Sequence, residues 1–192
     1  RFRHRSADPN SLSHDSVYAI AQDGAGNLWV GTQRGLNRLD PETRRFETFL
    51  PSSYVTSLLV DREGRLWVGS VGEGLRRRDP ATGDFESWNH DPRDPASLGD
   101  ASVFCLLEEP SGALWVGTNA GLDRMDVAVG SFRHFQDLSH PIVSSLASGR
   151  NGEIWAGTFG GGLARLDANT GAIRTLRNEP MRRGSLPSDR VV

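Results

Sequence analysis

Few side chains in this sequence are placed to do covalent chemistry. All 22 cationic residues are arginine, so neither a Schiff-base lysine nor a phosphate-cradling lysine occurs in it. The single cysteine, Cys105, forbids an intrachain disulfide and falls in a column of small residues with Ala19, Ser57 and Ser145. Packing accounts for it better than a reactive thiol does. The five histidines, His4, His14, His90, His134 and His140, never take H-x-H or H-x-x-x-H spacing. A metal ion would have to be gathered from separate parts of the chain, and no cofactor is expected. What is left is recognition chemistry. Gln33, Arg34, Tyr54, Glu73, Asn119 and Phe159 offer hydrogen-bonding groups and aromatic faces, the combination that a sugar or other small polar ligand needs. The competing reading is that each is an ordinary solvated loop residue.

The elements that must position these residues are written as a repeat. Leu28-Trp29-Val30-Gly31-Thr32 precedes Gly35-Leu36, and the block recurs as Leu66 to Ser70 before Gly74-Leu75, Leu114 to Thr118 before Gly121-Leu122, and Ile154 to Thr158 before Gly162-Leu163. The four tryptophans stand roughly forty residues apart, the period of a four-stranded propeller blade. A first strand is expected at Val17-Tyr18-Ala19-Ile20 and its counterparts from Val55, Val103 and Val143. It turns at Gly26, Gly64, Gly112 and Gly152, where positive φ is cheap for glycine. The tryptophan block is the second strand, and the third runs from Gly-Leu to Asp40, Asp79, Asp126 or Asp167. Turns such as Asp79-Pro80-Ala81-Thr82-Gly83 lead to a fourth strand with bulky groups three apart, as in Phe46 and Phe49 or Phe132 and Phe135. No helical periodicity is sustained anywhere.

The fold class expected is therefore all-β: a β-propeller of four consecutive antiparallel blades over about 15–50, 51–90, 100–137 and 140–178. Residues 1–5 read as the end of a preceding blade and 184–192 as the start of a following one. On that reading the chain is a segment of a larger ring or of one completed by oligomerisation, so self-association or contact with further blades is expected. Blades one and three are each preceded by a long polar insertion, Ser6–Asp15 and His90–Asp100, whereas blades two and four follow short links. The repeating unit is thus a blade pair.

Up-and-down order puts the links between blades, and those between second and third strands, on one face. That face is where the repeats differ, and the six recognition residues belong to it. The tryptophans invite reading as a binding ladder, but a large ring at one strand position in every blade is better explained as a wedge between sheets. Arg38, Arg77, Arg124 and Arg165, each two residues before the third-strand aspartate, read as inter-strand ion-pair partners.

Composition agrees with many short strands: 36% hydrophobic residues, 22 glycines and 10 prolines. A formal net charge of −2 provides no electrostatic footprint for nucleic acid. No apolar run is long enough to cross a bilayer as a helix, so no membrane contact is expected from this segment.

The motif resembles the two-component regulator propeller repeat, roughly aliphatic-x-D-x-x-G-x-L-W-x-G-T-x-x-G-L-x-x-x-D. Asp23 to Leu36 matches nearly throughout and Asp61 to Ser70 nearly as well, while the third repeat has Glu109 and the fourth Gly149 at the aspartate position. The resemblance implies an extracytoplasmic, periplasmic sensor propeller of a bacterial signalling receptor anchored in the inner membrane, non-catalytic and in some members similar to oligosaccharide sensors. Two other classes stay open: a propeller lyase of the streptogramin-inactivating type, which would need histidine and acid clustered around a metal, and a structural interaction scaffold.

Overall fold

The computed structural model describes residues 1–168 and 170–192. Among them every regular element is a β-strand, sixteen in all, in four separate four-stranded antiparallel sheets whose strands follow chain order. The chain divides into two compact units, Arg1–Trp88 and Asn89–Val192. The first holds β1(Val17–Gln22), β2(Leu28–Thr32), β3(Gly35–Leu39) and β4(Phe46–Phe49), then β5(Val55–Val60), β6(Leu66–Ser70), β7(Gly74–Arg78) and β8(Phe85–Trp88). The second holds β9(Val103–Glu108), β10(Leu114–Thr118), β11(Gly121–Asp126) and β12(Ser131–Phe135), then β13(Val143–Ser148), β14(Glu153–Thr158), β15(Leu163–Asp167) and β16(Ile173–Leu176). These are β-propeller blades.

The first hairpin of every blade closes on a glycine with positive φ, at Gly26, Gly64, Gly112 and Gly152, because this left-handed turn geometry strains any residue that bears a Cβ. Each first strand then slips register by one residue, leaving Tyr18, Thr56, Phe104 and Ser144 as bulge residues. Bulges at one point in every blade give the inner strands a common extra twist.

Within each unit the tryptophan is a wedge. In the first, Trp29 and Leu36 of the leading blade pack with Val55, Leu66 and Val68 of the next. In the second, Trp115, Leu122 and Phe135 pack with Val143, Ile154, Ala156 and Leu166. Trp29, Trp67 and Trp115 are at most 1% exposed, so they are unavailable as a ladder for ligands.

Burying an indole N–H requires an acceptor, and the motif's acid supplies it. Trp29 Nε1 donates to Asp23 and Trp67 Nε1 to Asp61, both at 2.8 Å, and Trp115 Nε1 donates to Glu109 at 2.5 Å. Asp23 at the same time accepts the amides of Ala25 and Asn27, at 3.0 and 2.9 Å. One carboxylate thus shapes the hairpin turn and anchors the wedge. Burial works against its charge, but these hydrogen bonds outweigh burial and hold the Asp23, Asp61 and Glu109 carboxyls below their ordinary values. In the fourth blade Gly149 stands where the acid would, and a Cβ there would lie 2.7 Å from Trp155 Nε1.

The glycine inside the tryptophan strands of blades one, three and four has a steric cause. A Cβ on Gly31 would meet Val55 Cγ1 at 2.6 Å, and one on Gly117 would meet Cys105 Sγ at 2.3 Å and Val143 Cγ1 at 2.8 Å. The first valine of the following blade presses into that gap. Val191 does the same against Gly157 (2.8 Å) and donates its amide to the Thr158 carbonyl at 3.0 Å.

The long insertions do not stay on the loop face, as their place between blades led us to expect. They fold back along the outer edge of the blade they precede: Phe46 N–H donates to the Asn10 carbonyl (2.8 Å) and Phe132 N–H to the Ala96 carbonyl (2.9 Å). A fourth strand has free backbone groups on its outer side, and the insertion satisfies the first of them. Leu12 and Leu98 anchor the insertions by burial. Residues 1–5 carry no strand; the Phe2 ring sits edge-on to Phe46 at 5.2 Å.

Candidate functional site

The loop face is built by a hydroxyl in the strand that leads to it. Thr32, Thr118 and Thr158, all buried, donate to the carbonyls of Gly35, Gly121 and Gly162 at 2.9 to 3.0 Å and accept an amide of the link itself. The following residue ties the link to the blade's entry: Gln33, Asn119 and Phe159 donate their amides to the carbonyls of Ser16, Ser102 and Ile142, each at 3.1 Å. Their backbones are fixed, and the side chains of Gln33, Arg34, Asn119 and Phe159 are exposed.

Blade two replaces this threonine with Ser70, whose buried Oγ has no hydrogen-bond partner among the described residues. Its link is held another way. Glu73 accepts from Ser53 Oγ at 2.5 Å and from Arg76 at 3.0 Å, and these bonds overcome burial to keep its carboxyl below the ordinary range. Glu73 is therefore engaged in holding the loop. In the second unit Phe159 is covered by the Arg190 guanidinium, 4.1 Å from its ring centroid, and the two residues form an isolated bridge.

Tyr54 has a neighbour that the sequence reading passed over. Its ring tilts against Tyr18, the bulge residue of β1, with centroids 4.8 Å apart. The hydrogen bond with Tyr18, then burial, push the Tyr54 phenol up to about 12, so Tyr54 remains a neutral donor and acceptor. Tyr18 is 49% exposed, and with Tyr54 it forms an aromatic step at the loop end of the first unit, where Gln33 and Arg34 also lie. The signal for Tyr18 was available: the counterparts of this bulge residue are Thr56, Phe104 and Ser144, and a large amphipathic ring there needs a partner or a use.

Of the six recognition residues, then, Gln33, Arg34, Tyr54 and Glu73 share the first unit and Asn119 and Phe159 the second. The opposite, turn face carries clefts that sequence reasoning did not name. One of about 370 Å³ lies between Arg77, Asp79, Phe85 and Glu86 in blade two, and its counterparts are at Arg38, Asp40 and Glu47 (320 Å³) and at Arg165, Asp167 and Arg174 (240 Å³). The arginines pair as expected: Arg38 with Glu47 (2.6 Å), Arg77 with Glu86 (2.5 Å), Arg124 with Glu109 (3.0 Å) and Arg165 with Glu153. Each also covers its blade's tryptophan, 5.4 to 6.0 Å from the ring centroid. Cys105 is held as a packing group, since burial pushes its thiol up to about 12. Among the described residues no three histidine, cysteine or acidic groups gather in a way that would hold a metal ion, and no helix is long and apolar enough to cross a membrane.

Comparison with known proteins agrees with this architecture. The model of the two-component regulator propeller family matches residues 11–34, 50–72 and 97–120. Two extracellular domains of hybrid two-component systems from B. thetaiotaomicron share the fold at 24% identity and TM-score 0.80. The matches cover 91% and 98% of this chain but only 26% and 25% of theirs. Virginiamycin B lyase from Staphylococcus aureus is similar at 15% identity and TM-score 0.69, over 88% of this chain and 58% of that one. At such identities the likeness is one of fold. No curated protein sequence matches significantly. The matched stretches each run from a blade's entry through its tryptophan strand to the loop face, so the first three blades each contain a segment similar to the two-component regulator propeller repeat; the fourth blade keeps the register with Trp155.

Proposed function

We propose that this chain is part of the extracytoplasmic propeller of a bacterial signalling receptor, non-catalytic, and that it takes a small polar ligand such as an oligosaccharide on its loop face. The repeat family and the two extracellular domains of similar fold support the location. The ligand reading rests on one observation: the half-exposed Tyr18–Tyr54 step, set beside the exposed amide of Gln33 and guanidinium of Arg34. A pyranose presents an apolar face to aromatic rings and hydroxyls to amides and guanidinium groups, and this combination suits it.

The test is isothermal titration of the purified chain against a panel of neutral oligosaccharides, repeated with Tyr18→Ala and Tyr54→Ala. Saturable binding that both variants weaken is expected. Absence of binding throughout the panel, or binding indifferent to both tyrosines, overturns the ligand reading and leaves an interaction scaffold. Incubation with a streptogramin B, followed by mass spectrometry for the linearised product, tests catalysis, and turnover would overturn the non-catalytic reading. Contact with further blades or a second copy is supported by β1, where Val17 is 41% exposed while Val55 and Val143 in the same strand position are fully buried, and where Ile20 is 62% exposed. Light scattering is expected to show a mass above the 21.0 kDa of one chain.

A further inference from the structure

The two long insertions are fastened to their blades by one scaffold with two chemistries. In each, a histidine Nδ1 lies 2.8 Å from a carbonyl eight residues on, His4 to Leu12 and His90 to Leu98. The residue after that leucine donates its amide to a buried side chain at the third position of the third strand: Ser13 to Asn37 Oδ1 at 3.0 Å, and Gly99 to Asp123 Oδ2 at 2.8 Å. The fourth strand supports that side chain across the sheet. In blade one Thr48 Oγ1 donates to Asn37 at 3.3 Å; in blade three His134 Nδ1 is 2.7 Å from Asp123 Oδ1. His134 alone also reaches back to the insertion, with Nε2 3.0 Å from the Pro95 carbonyl. Blades without an insertion have Arg76 and Ala164 at the third-strand position.

This geometry fixes a proton count. A carbonyl oxygen only accepts, so Nε2 must carry a hydrogen to bond Pro95. Nδ1 then either donates to the Asp123 carboxylate, as an imidazolium, or accepts from a protonated Asp123. Both arrangements hold one proton beyond the neutral imidazole and free carboxylate. Without it only one of the two bonds survives: an Nδ1–H on Asp123 leaves the Nε2 lone pair facing the Pro95 carbonyl. Asp123 is 2% exposed, so its charge cannot be met by water instead.

We propose that Asp123 and His134 form a proton-operated latch, closing insertion 90–98 onto the edge of blade three while the pair holds its proton and freeing it when the proton is lost, whereas Asn37 and Thr48 hold insertion 4–12 irrespective of pH. The groups that face the pair favour the proton on balance. Burial opposes the charge on His134, but the hydrogen bond and charge of Asp123, with the Pro95 carbonyl, raise its pKa above the ordinary 6.5. Burial raises Asp123, His134 and Gly99 lower it in part, and nearby Asp100 raises it again. His90, Asp91 and Asp94 bond within the insertion, and His90 has its counterpart in His4. Both latch groups bind protons more firmly folded than unfolded, so the latch is closed at low pH and opens as pH rises through the folded value of His134, above 6.5.

Limited trypsin digestion of the whole chain tests this, because both insertions carry an exposed arginine, Arg5 and Arg93. The ratio of cleavage after Arg93 to cleavage after Arg5, read by mass spectrometry in one sample, cancels the protease's own pH dependence. It is expected to rise several-fold between about pH 6 and about pH 9. In the double variant Asp123→Asn/His134→Thr, which copies the blade-one pair, the ratio stays flat. A flat ratio in the parent protein, or the same rise in the variant, overturns the latch. The parent protein also decides the matter without the variant: the midpoint of the ratio must coincide with the His134 titration followed by NMR of the ring nitrogens, and a mismatch overturns the proposal.

Discussion

Replacing the tryptophan of blade three separates two contributions that the fold combines. Trp115 is fully buried, and an indole buries about 150–250 Å². At ~25 cal/mol per Å² of apolar area that is about 4–6 kcal/mol, an upper figure because the unfolded chain is itself partly collapsed. Trp115→Ala is therefore expected to cost about 3–5 kcal/mol, with a cavity left against Val143 and Ile154. Trp115→Phe keeps most of the packing but removes the N–H that meets Glu109. A hydrogen bond to a charged group is worth about 1.5–3 kcal/mol. Glu109 keeps Arg124 and Ser111, so the lower end of that range applies.

Trp155 provides the control, since Gly149 occupies the acid's position there and Trp155→Phe is expected to cost about 1 kcal/mol or less. Urea unfolding followed by far-ultraviolet circular dichroism measures all three, extrapolated to water. Equal losses for the two Trp→Phe changes would show that the acid adds nothing to the wedge. A loss below about 1 kcal/mol for Trp115→Ala, as expected of an exposed side chain, would refute the wedge itself.

Gly31→Ala is expected to destabilise by about 1–3 kcal/mol through overpacking against Val55, with recovery in Gly31→Ala/Val55→Ala, both measured by urea midpoint. The Asp23, Asp61 and Glu109 carboxyls sit below their ordinary values of 3.8 and 4.5, so their contribution is complete above those values and is lost as pH falls through the lower folded ones. Urea midpoints should accordingly drop on acidification, and less steeply in Asp61→Asn. Cys105 should resist a thiol-specific disulfide reagent in the native chain at mildly alkaline pH and react once urea is added, because its thiol stays protonated to about 12.

How much of this was legible in the sequence follows the range of the interaction. Strands and hairpins rest on neighbours a few residues apart, so alternation of apolar residues around Trp29 and glycine at Gly26 sufficed to place them. The acid was legible only as turn chemistry: Asp23 bonding Ala25 and Asn27 is local, whereas its bond to the indole joins groups six residues apart that the hairpin must first bring together. Gly31 could not be explained at all from its own blade, because the group it yields to, Val55, belongs to the next. Of the candidate site, Tyr54 was legible as an aromatic ring in a short link, and Tyr18 stood out against Thr56, Phe104 and Ser144 at the same position, but the bulge in β1 that brings the two rings together was not legible. Glu73 and Phe159 were read as free for a ligand, and the fold gives them Ser53 with Arg76 and Arg190.

The insertions show where period-based reading stops and what replaces it. Read as polar links between blades, Ser6–Asp15 and His90–Asp100 belong on the loop face. Yet each contains one leucine, Leu12 or Leu98, and each precedes a third strand with a polar residue, Asn37 or Asp123, at a position buried in the sheet. An apolar residue inside a polar loop needs a surface to cover, and a buried polar side chain needs partners that its own sheet does not supply. Matched across the repeat, the two needs answer each other. The blades that lack an insertion have Arg76 and Ala164 at the same place, and neither calls for such a loop. Comparing the repeats of one chain position by position thus locates a contact spanning 24 residues that no window along the sequence contains. It also shows that blades one and three, alike in architecture, differ at the two positions on which the proposed latch rests, Asn37 with Thr48 against Asp123 with His134.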